Sequence, residues 1–260
     1  MSPAANTTVY VVTGGNRGLG LGLVKALLAR PSTTVVATVR TDAAAATLQA
    51  EADASGKADH SLLHIVQLDF STAIPADKIM AAFKEATNDT LDRVDVLICN
   101  AANTTTPLSA ASTTTAEDLR AAFETNTISP LMLFQALWPL MQKTVAPAPK
   151  LVMMTSTLGS IGGMEPVPAG AYGPSKAALN WITKALHAEH EEAGLVAVAL
   201  HPGWVQTQAG EYSARSWGYK PGPPDSVEDS VEGILEVVDH ATRDTVSGKF
   251  VTFTGQTLAW

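Results

Sequence analysis

TGGNRGLG, residues 13–20, follows the apolar run VYVV and leads into LGLVKALLAR. Gly14, Gly18 and Gly20 therefore stand where a strand gives way to an amphipathic helix, although glycine weakens both elements. What is gained there is an approach free of side chains. A pyrophosphate rests on the positive N-terminal end of a helix only where no Cβ intervenes. Glycine spacing alone also fits an ordinary tight turn, so the rest of the chain must decide.

Outward from that turn, apolar runs alternate with helical patterns. Strands are expected at 9–13, 34–40, 62–68, 94–99, 150–155, 195–201 and 249–253, and helices near 19–29, 43–55, 76–87, 116–142, 173–192 and 226–241. The strands are rich in Val, Ile and Leu without clean alternation, as strands buried on both faces are. Strand then helix, repeated, predicts right-handed crossovers and a parallel sheet. The reading is α/β: one Rossmann-like, doubly wound domain over 1–260, a seven-stranded parallel sheet with helices on both faces. No internal repeat or linker divides it. The long stretch 206–225, QTQAGEYSARSWGYKPGPPD, reads as an irregular substrate loop.

Composition removes several classes of partner. A net charge of −8 with only 17 Lys plus Arg argues against a nucleic-acid or anionic membrane surface. A single cysteine, Cys99, excludes an intramolecular disulfide framework and any cysteine-rich metal site, and no metal is expected. MSPAANTTVY lacks a basic segment followed by an apolar run, and no apolar run is long enough to span a bilayer. A cytoplasmic location is expected.

In such a sheet ligands bind where strands end at their carboxyl side. The second strand ends in Arg40, where a carboxylate would take the 2′-hydroxyl of NAD and a cation a 2′-phosphate. Arg40, with Arg17 from the glycine turn, favours NADP over NAD. Asp69 ends the third strand, placed either to accept from an adenine amine or to cap the turn at 71–75. Asn100 ends the fourth, before two alanines that let a ligand pass near the backbone. Cys99 reads as a small buried hydrophobe. The fifth strand delivers Ser156. Tyr172 and Lys176 follow at i, i+4, which places both on one face of a helix, and Pro174 sets them at its start. A phenol with a pKa of about 10 is a poor acid at neutral pH, and a nearby ammonium is expected to bring it down.

TGGNRGLG, CNAA, Asn126, Ser156, Tyr172 with Lys176, and PGWVQT (202–207) come in the order and approximate spacing of the short-chain dehydrogenase/reductase family, and the resemblance runs over nearly the whole chain. TSTLGSIGG and GKFVTFTG are similar to the small carbonyl reductases, and TGGNRGLG with VVATVR to fungal ketoreductases of the norsolorinate type. The resemblance implies Tyr172 as general acid in reduction and base in oxidation. It implies Lys176 on the nicotinamide ribose, Ser156 orienting the carbonyl, and Asn126 holding a water that links Lys176 to solvent. NADP(H) contacts are expected from Gly14, Asn16, Arg17, Gly18, Leu19 and Gly20 of the first turn. Others are expected from Arg40, Asp69, Asn100 and Ala101. Tyr172, Lys176, Pro202, Gly203, Val205 and Thr207 would complete the set, with Val205 and Thr207 at the carboxamide.

Two departures stand out: Ala102 replaces the usual glycine of Asn-Ala-Gly, and the interval from Ser156 to Tyr172 is longer than in many members. The expectation is NADPH-dependent reduction of a bulky or aromatic ketone or aldehyde. Tyr212, Trp217, Tyr219, Met164, Pro166 and Pro168 are candidates for an apolar wall. An NAD-dependent alcohol dehydrogenase is the alternative enzyme, and a catalytically silent NADP(H)-sensing protein the alternative from another class. Family members pair helices matching 116–142 and 173–192 across a two-fold axis, so a homodimer or homotetramer is expected.

Overall fold

Strand formation follows the apolar runs closely. The computed structural model describes residues 7–104 and 108–260; the opening residues 1–6, part of the stretch read for a secretion signal, lie outside them. The strands are β1 (Thr8–Thr13), β2 (Thr33–Val39), β3 (Leu62–Gln67), β4 (Val96–Cys99), β5 (Lys150–Met154), β6 (Val196–His201) and β7 (Phe250–Thr252). All pair in parallel, in the order β3-β2-β1-β4-β5-β6-β7. The chain winds outward from β1 to β3, then returns to place β4 on the other side of β1. That reversal creates a switch point between β1 and β4, where doubly wound sheets hold their ligands.

The helices are α1 (Gly18–Leu28), α2 (Asp42–Ser55), α3 (Ala76–Ala86), α4 (Ala116–Phe123), α5 (Ser129–Met141), α6 (Tyr172–Glu189), α7 (Gln208–Ser216) and α8 (Val227–His240). Both faces of the sheet are apolar, and alternate residues serve different layers. Tyr10, Val12, Val96 and Ile98 pack with Leu23, Leu27, Leu48, Ile234 and Val238 from α1, α2 and α8. Val11, Leu97, Leu151 and Ala197 pack with Phe83, Leu133, Leu137, Leu179 and Leu186 from α3, α5 and α6. Burial on both sides explains the missing alternation in the sequence. Among the described residues, no helix is long and apolar enough to cross a membrane.

Two expectations change. The single helix expected at 116–142 is interrupted by a π-helical turn, Glu124–Ile128, between α4 and α5. Pro130 lies in the first turn of α5 and has no N–H to offer the carbonyl four residues back. Ser129 N instead reaches Glu124 O, one residue further than an α-helix would. The stretch 206–225 is not wholly irregular, because α7 fills its first half. Thr207 caps α7 by accepting from Gly210 N at 3.2 Å, with Glu211 in the first turn and Arg215 in the last.

Candidate active site

The groove at the switch point is assembled by backbone contacts. Gly14 turns the chain away from β1 at φ +69°, and Gly15 N donates to Thr38 O of β2 at 3.0 Å. A Cβ on Gly20 would stand 2.1 Å from Gly14 O and 2.6 Å from Asn100 Nδ2, so only glycine allows α1 to start this close. Asn100 Nδ2 donates to Thr13 O, and Ala101 N to Thr13 Oγ1, both at 2.8 Å. These bonds tie the end of β4 to the end of β1. Ala101 Cα would lie 3.2 Å from a Cβ on Gly14, which keeps the floor of the groove close to bare backbone.

Helices α2, α4, α7 and α8 each begin on a Thr or Ser hydroxyl that accepts a main-chain N–H. Helix α1 begins on Arg17, with no side-chain cap. Its first amides are therefore left for another acceptor, and an anionic phosphate is the natural one. A cradle that a Cβ would fill, joined to an uncapped helix start, fits a dinucleotide. Arg17 is exposed and donates from Nη1 to Gln208 Oε1 at 2.8 Å. Arg40 is exposed at the end of β2, and among the described residues its guanidinium has no ion pair or hydrogen bond. Asn16 is half-buried in the turn, and Leu19 packs partly onto the core. Asp69 accepts from Ser71 N at 3.0 Å, so capping is the role its geometry displays.

The reactive hydroxyls meet across the ends of β5 and α6. Tyr172 is the first residue of α6, and its hydroxyl neighbours Ser156, two residues beyond β5. Ser156 Oγ also accepts from Leu158 N at 3.2 Å, closing a short 3-10 turn, Thr157–Gly159. A Cβ on Gly159 would stand 2.7 Å from the Lys176 carbonyl carbon, so this turn lies directly on α6.

One turn along α6, Lys176 is 2% exposed, and Nζ donates to Met154 O at 2.8 Å. That nitrogen is 5.6 Å from the centre of the Tyr172 ring. Burial pulls the ammonium down to about 8, slightly opposed by the nearby Cys99 thiol. Burial pushes the Tyr172 phenol up to about 12, and the Ser156 hydrogen bond pulls the other way. The expected lowering of the phenol by Lys176 is thus not seen. The ammonium is spent on Met154 O, and loss of solvent dominates.

Asn126 is fully buried within the π turn. Its Oδ1 accepts from Asn103 N at 2.7 Å, and its Nδ2 donates to Asn103 O at 3.2 Å and to Ser175 Oγ at 3.0 Å. Ser175 Oγ in turn donates to Tyr172 O at 2.7 Å, which joins Asn126 to the first turn of α6. Cys99 is buried and its thiol is pushed up to about 12 by that burial, consistent with a packing role.

The segment 202–207 runs past the same strand ends. Gly203 is at φ +89°, where a Cβ would stand 2.4 Å from Asp225 Oδ2. Ser230 Oγ donates to Pro202 O at 2.6 Å, and Val205 is bridged to Asp225. Thr207 Cγ2 would lie 3.2 Å from a Cβ on Gly18, so segment and glycine turn touch. Beyond them, Trp204 packs with Trp217 and Tyr219, ring centres 5.7 and 4.9 Å apart. Trp217 Nε1 donates across to Pro168 O at 3.1 Å. This bond joins two of the expected wall residues; Tyr212 is half-buried, and Met164 is 71% exposed.

Three contributors escaped the sequence reading: Gln208, Asn103 and His201. His201 Nδ1 accepts from Thr157 N at 3.4 Å, directly after Ser156, and burial pulls the ring down to about 4. It is therefore neutral, as an acceptor must be. Its position just before Pro202 at the end of β6 was the available signal.

A ligand groove and reactive hydroxyls gathered where β1, β4 and β5 end define a doubly wound α/β oxidoreductase. Residues 8–216 match the family described as short chain dehydrogenase. The chain is 33% identical over 260 residues to a short-chain dehydrogenase of Pyricularia oryzae, covering 98% of this chain and 100% of the relative. It is 37% identical over 257 residues to norsolorinic acid ketoreductase of Aspergillus parasiticus, covering 97% and 91%. Among solved structures, NADPH-bound carbonyl reductase from chicken fatty liver superposes with a TM-score of 0.81 at 31% identity, covering 98% and 99%. The chain belongs to the short-chain dehydrogenase family and is an oxidoreductase of the carbonyl reductase-like kind.

Proposed function

We propose that this protein is an NADPH-dependent reductase of a bulky or aromatic ketone or aldehyde, a single catalytic domain over 1–260. The observation that carries the reading is Tyr172 beside Ser156, one helical turn from a buried Lys176 whose Nζ is 5.6 Å from the Tyr172 ring centre. The solved relative named above holds NADPH, and another, from Burkholderia multivorans at 27% identity, holds NADP. In this chain the uncapped start of α1 receives the pyrophosphate, and Arg40 and Arg17 the 2′-phosphate. Asp69, Asn100 and Ala101 line the adenosine side, and Pro202, Gly203, Val205 and Thr207 the nicotinamide side.

NADPH, when bound, supplies the hydride. Ser156 orients the substrate carbonyl by donating to its oxygen, and Tyr172 delivers its proton to that oxygen as negative charge develops. Lys176, protonated below about pH 8, would hold the nicotinamide ribose, with its Nζ 5.6 Å from the Tyr172 ring. Asn126 holds the water through which that proton is restored. Trp204, Trp217 and Tyr219 present flat apolar surface to the substrate, which suits an aromatic ketone. The location proposed is the cytoplasm. The assembly proposed is a homodimer or homotetramer through the faces of α4, α5 and α6, where Trp181 is 72% exposed; light scattering that shows a monomer at micromolar concentration would refute it.

The test is direct: protein, NADPH and a panel of aryl and alkyl ketones, followed at the nicotinamide absorbance band. Turnover of aryl ketones with NADPH, and much slower turnover with NADH, is the expected result. Tight NADPH binding without turnover of any carbonyl would replace this reading with a nucleotide sensor.

A further inference from the structure

The bond between Arg17 and Gln208 joins residues 191 positions apart at 2.8 Å, and the proposed chemistry leaves it unused. Arg17 stands in the glycine turn at the start of α1, and Gln208 is the first residue of α7. The same two segments also meet where Thr207 approaches Gly18. Arg17 is exposed, and an unrestrained arginine there would sample many rotamers, each needing to be frozen when an anion binds. One hydrogen bond donated by Nη1 leaves the other four N–H groups of the guanidinium to address a ligand.

We propose that Gln208 is a positioning residue for cofactor choice: its side-chain carbonyl pre-orders Arg17 toward a 2′-phosphate. The proposal rests on the assignment of Arg17 to that phosphate. A neutral amide suits the task, because it restrains the guanidinium without neutralising it. A carboxylate at the same place would form an ion pair with Arg17 and set a negative charge against the phosphate.

The test uses Gln208→Met, which keeps length and helical preference but has no acceptor oxygen, together with Gln208→Glu and Arg17→Ala. Dissociation constants for NADPH and NADH are read by fluorescence titration. Loss of one side-chain restraint should weaken NADPH about 3- to 10-fold in Gln208→Met and leave NADH unchanged. Gln208→Glu should weaken NADPH at least as much, with a stronger salt dependence. A general structural role would shift both cofactors together, and that result would overturn the proposal. So would wild-type NADPH affinity in Gln208→Met while Arg17→Ala weakens NADPH. If Arg17→Ala itself leaves NADPH unaffected, the assignment of Arg17 to the phosphate falls, and the proposal with it.

Discussion

The two ends of this sheet use polar groups in opposite ways. At the amino ends, Asp95 and Arg93 are buried, 1% and 5% exposed, before β4. Asp95 accepts from Val9 N at 2.8 Å and from Thr144 Oγ1 at 2.5 Å, and it stands 3.6 Å from Arg93 Nε. Arg93 also donates to Thr7 O. The partners named here belong to the framework, so these charges hold β1, β4 and the end of α5 in place. At the carboxyl ends, Lys176 has a single hydrogen bond, to Met154 O. Helix α1 starts there without a side-chain cap. Polar capacity matched by the protein serves stability, whereas capacity left over serves a ligand.

Substitutions at the two ends should therefore fail differently. Tyr172→Phe removes one oxygen, and kcat should fall about 10²- to 10⁴-fold while melting temperature barely moves. Near wild-type turnover would break the contrast at its centre. Asp95→Ala should do the reverse. Removing one partner of a buried pair costs about 3–5 kcal/mol, read as a large drop in melting temperature, with kcat per folded molecule preserved.

Lys176→Met tests whether the site end stores instability. The folded value of about 8 lies below the ordinary 10.5, so at neutral pH burial of this ammonium withholds about 3 kcal/mol. The variant should melt higher than wild type at pH 7 and lose most activity. Between about pH 8 and 10.5 the unfolded wild-type chain holds the extra proton, so raising pH stabilises wild type and closes the gap. In wild type, reduction should fall through an apparent pKa of about 8 as Lys176 loses its proton. That limb should vanish in Lys176→Met. A smaller effect is expected at Arg40→Ala, where NADPH binding should weaken about 10- to 100-fold with NADH unchanged. Equal weakening of both would remove Arg40 from the phosphate site.

The parts of this molecule set by local chemistry were readable in advance. Runs such as VVATV and LVMM are apolar without alternation because both sheet faces are covered, and all seven strands lie where those runs are. The glycine turn and the spacing of Tyr172 and Lys176 are equally local. The interruption at Glu124–Ile128 follows from Pro130, which a search for apolar periodicity passes over because the buried stripe continues through it. Helix α7 has no such stripe, burying only Gly210 and Ala214, so nothing in the 206–225 stretch but the Thr207 cap announced it. The depressed lysine and raised phenol depend on burial supplied by β5 and the 157–159 turn. Gln208 and His201 act on residues far away in sequence, and no spacing rule links such partners.

The thin footing of α7 bears on how such a protein diversifies. Its loop is anchored by Trp204 N to Asp225 Oδ2 at 2.7 Å and Gln206 N to Asp225 O at 2.8 Å, contacts at the base that leave the intervening residues free to vary. Trp217 and Tyr219 rest on Trp204, and Trp217 reaches Pro168, without either entering a core layer. Exchange of those aromatics would reshape the cleft at little thermodynamic expense, since the layers that fold the chain never touch them. On the function proposed, substrate preference would be an evolvable attachment to a scaffold that need not be refolded to change it.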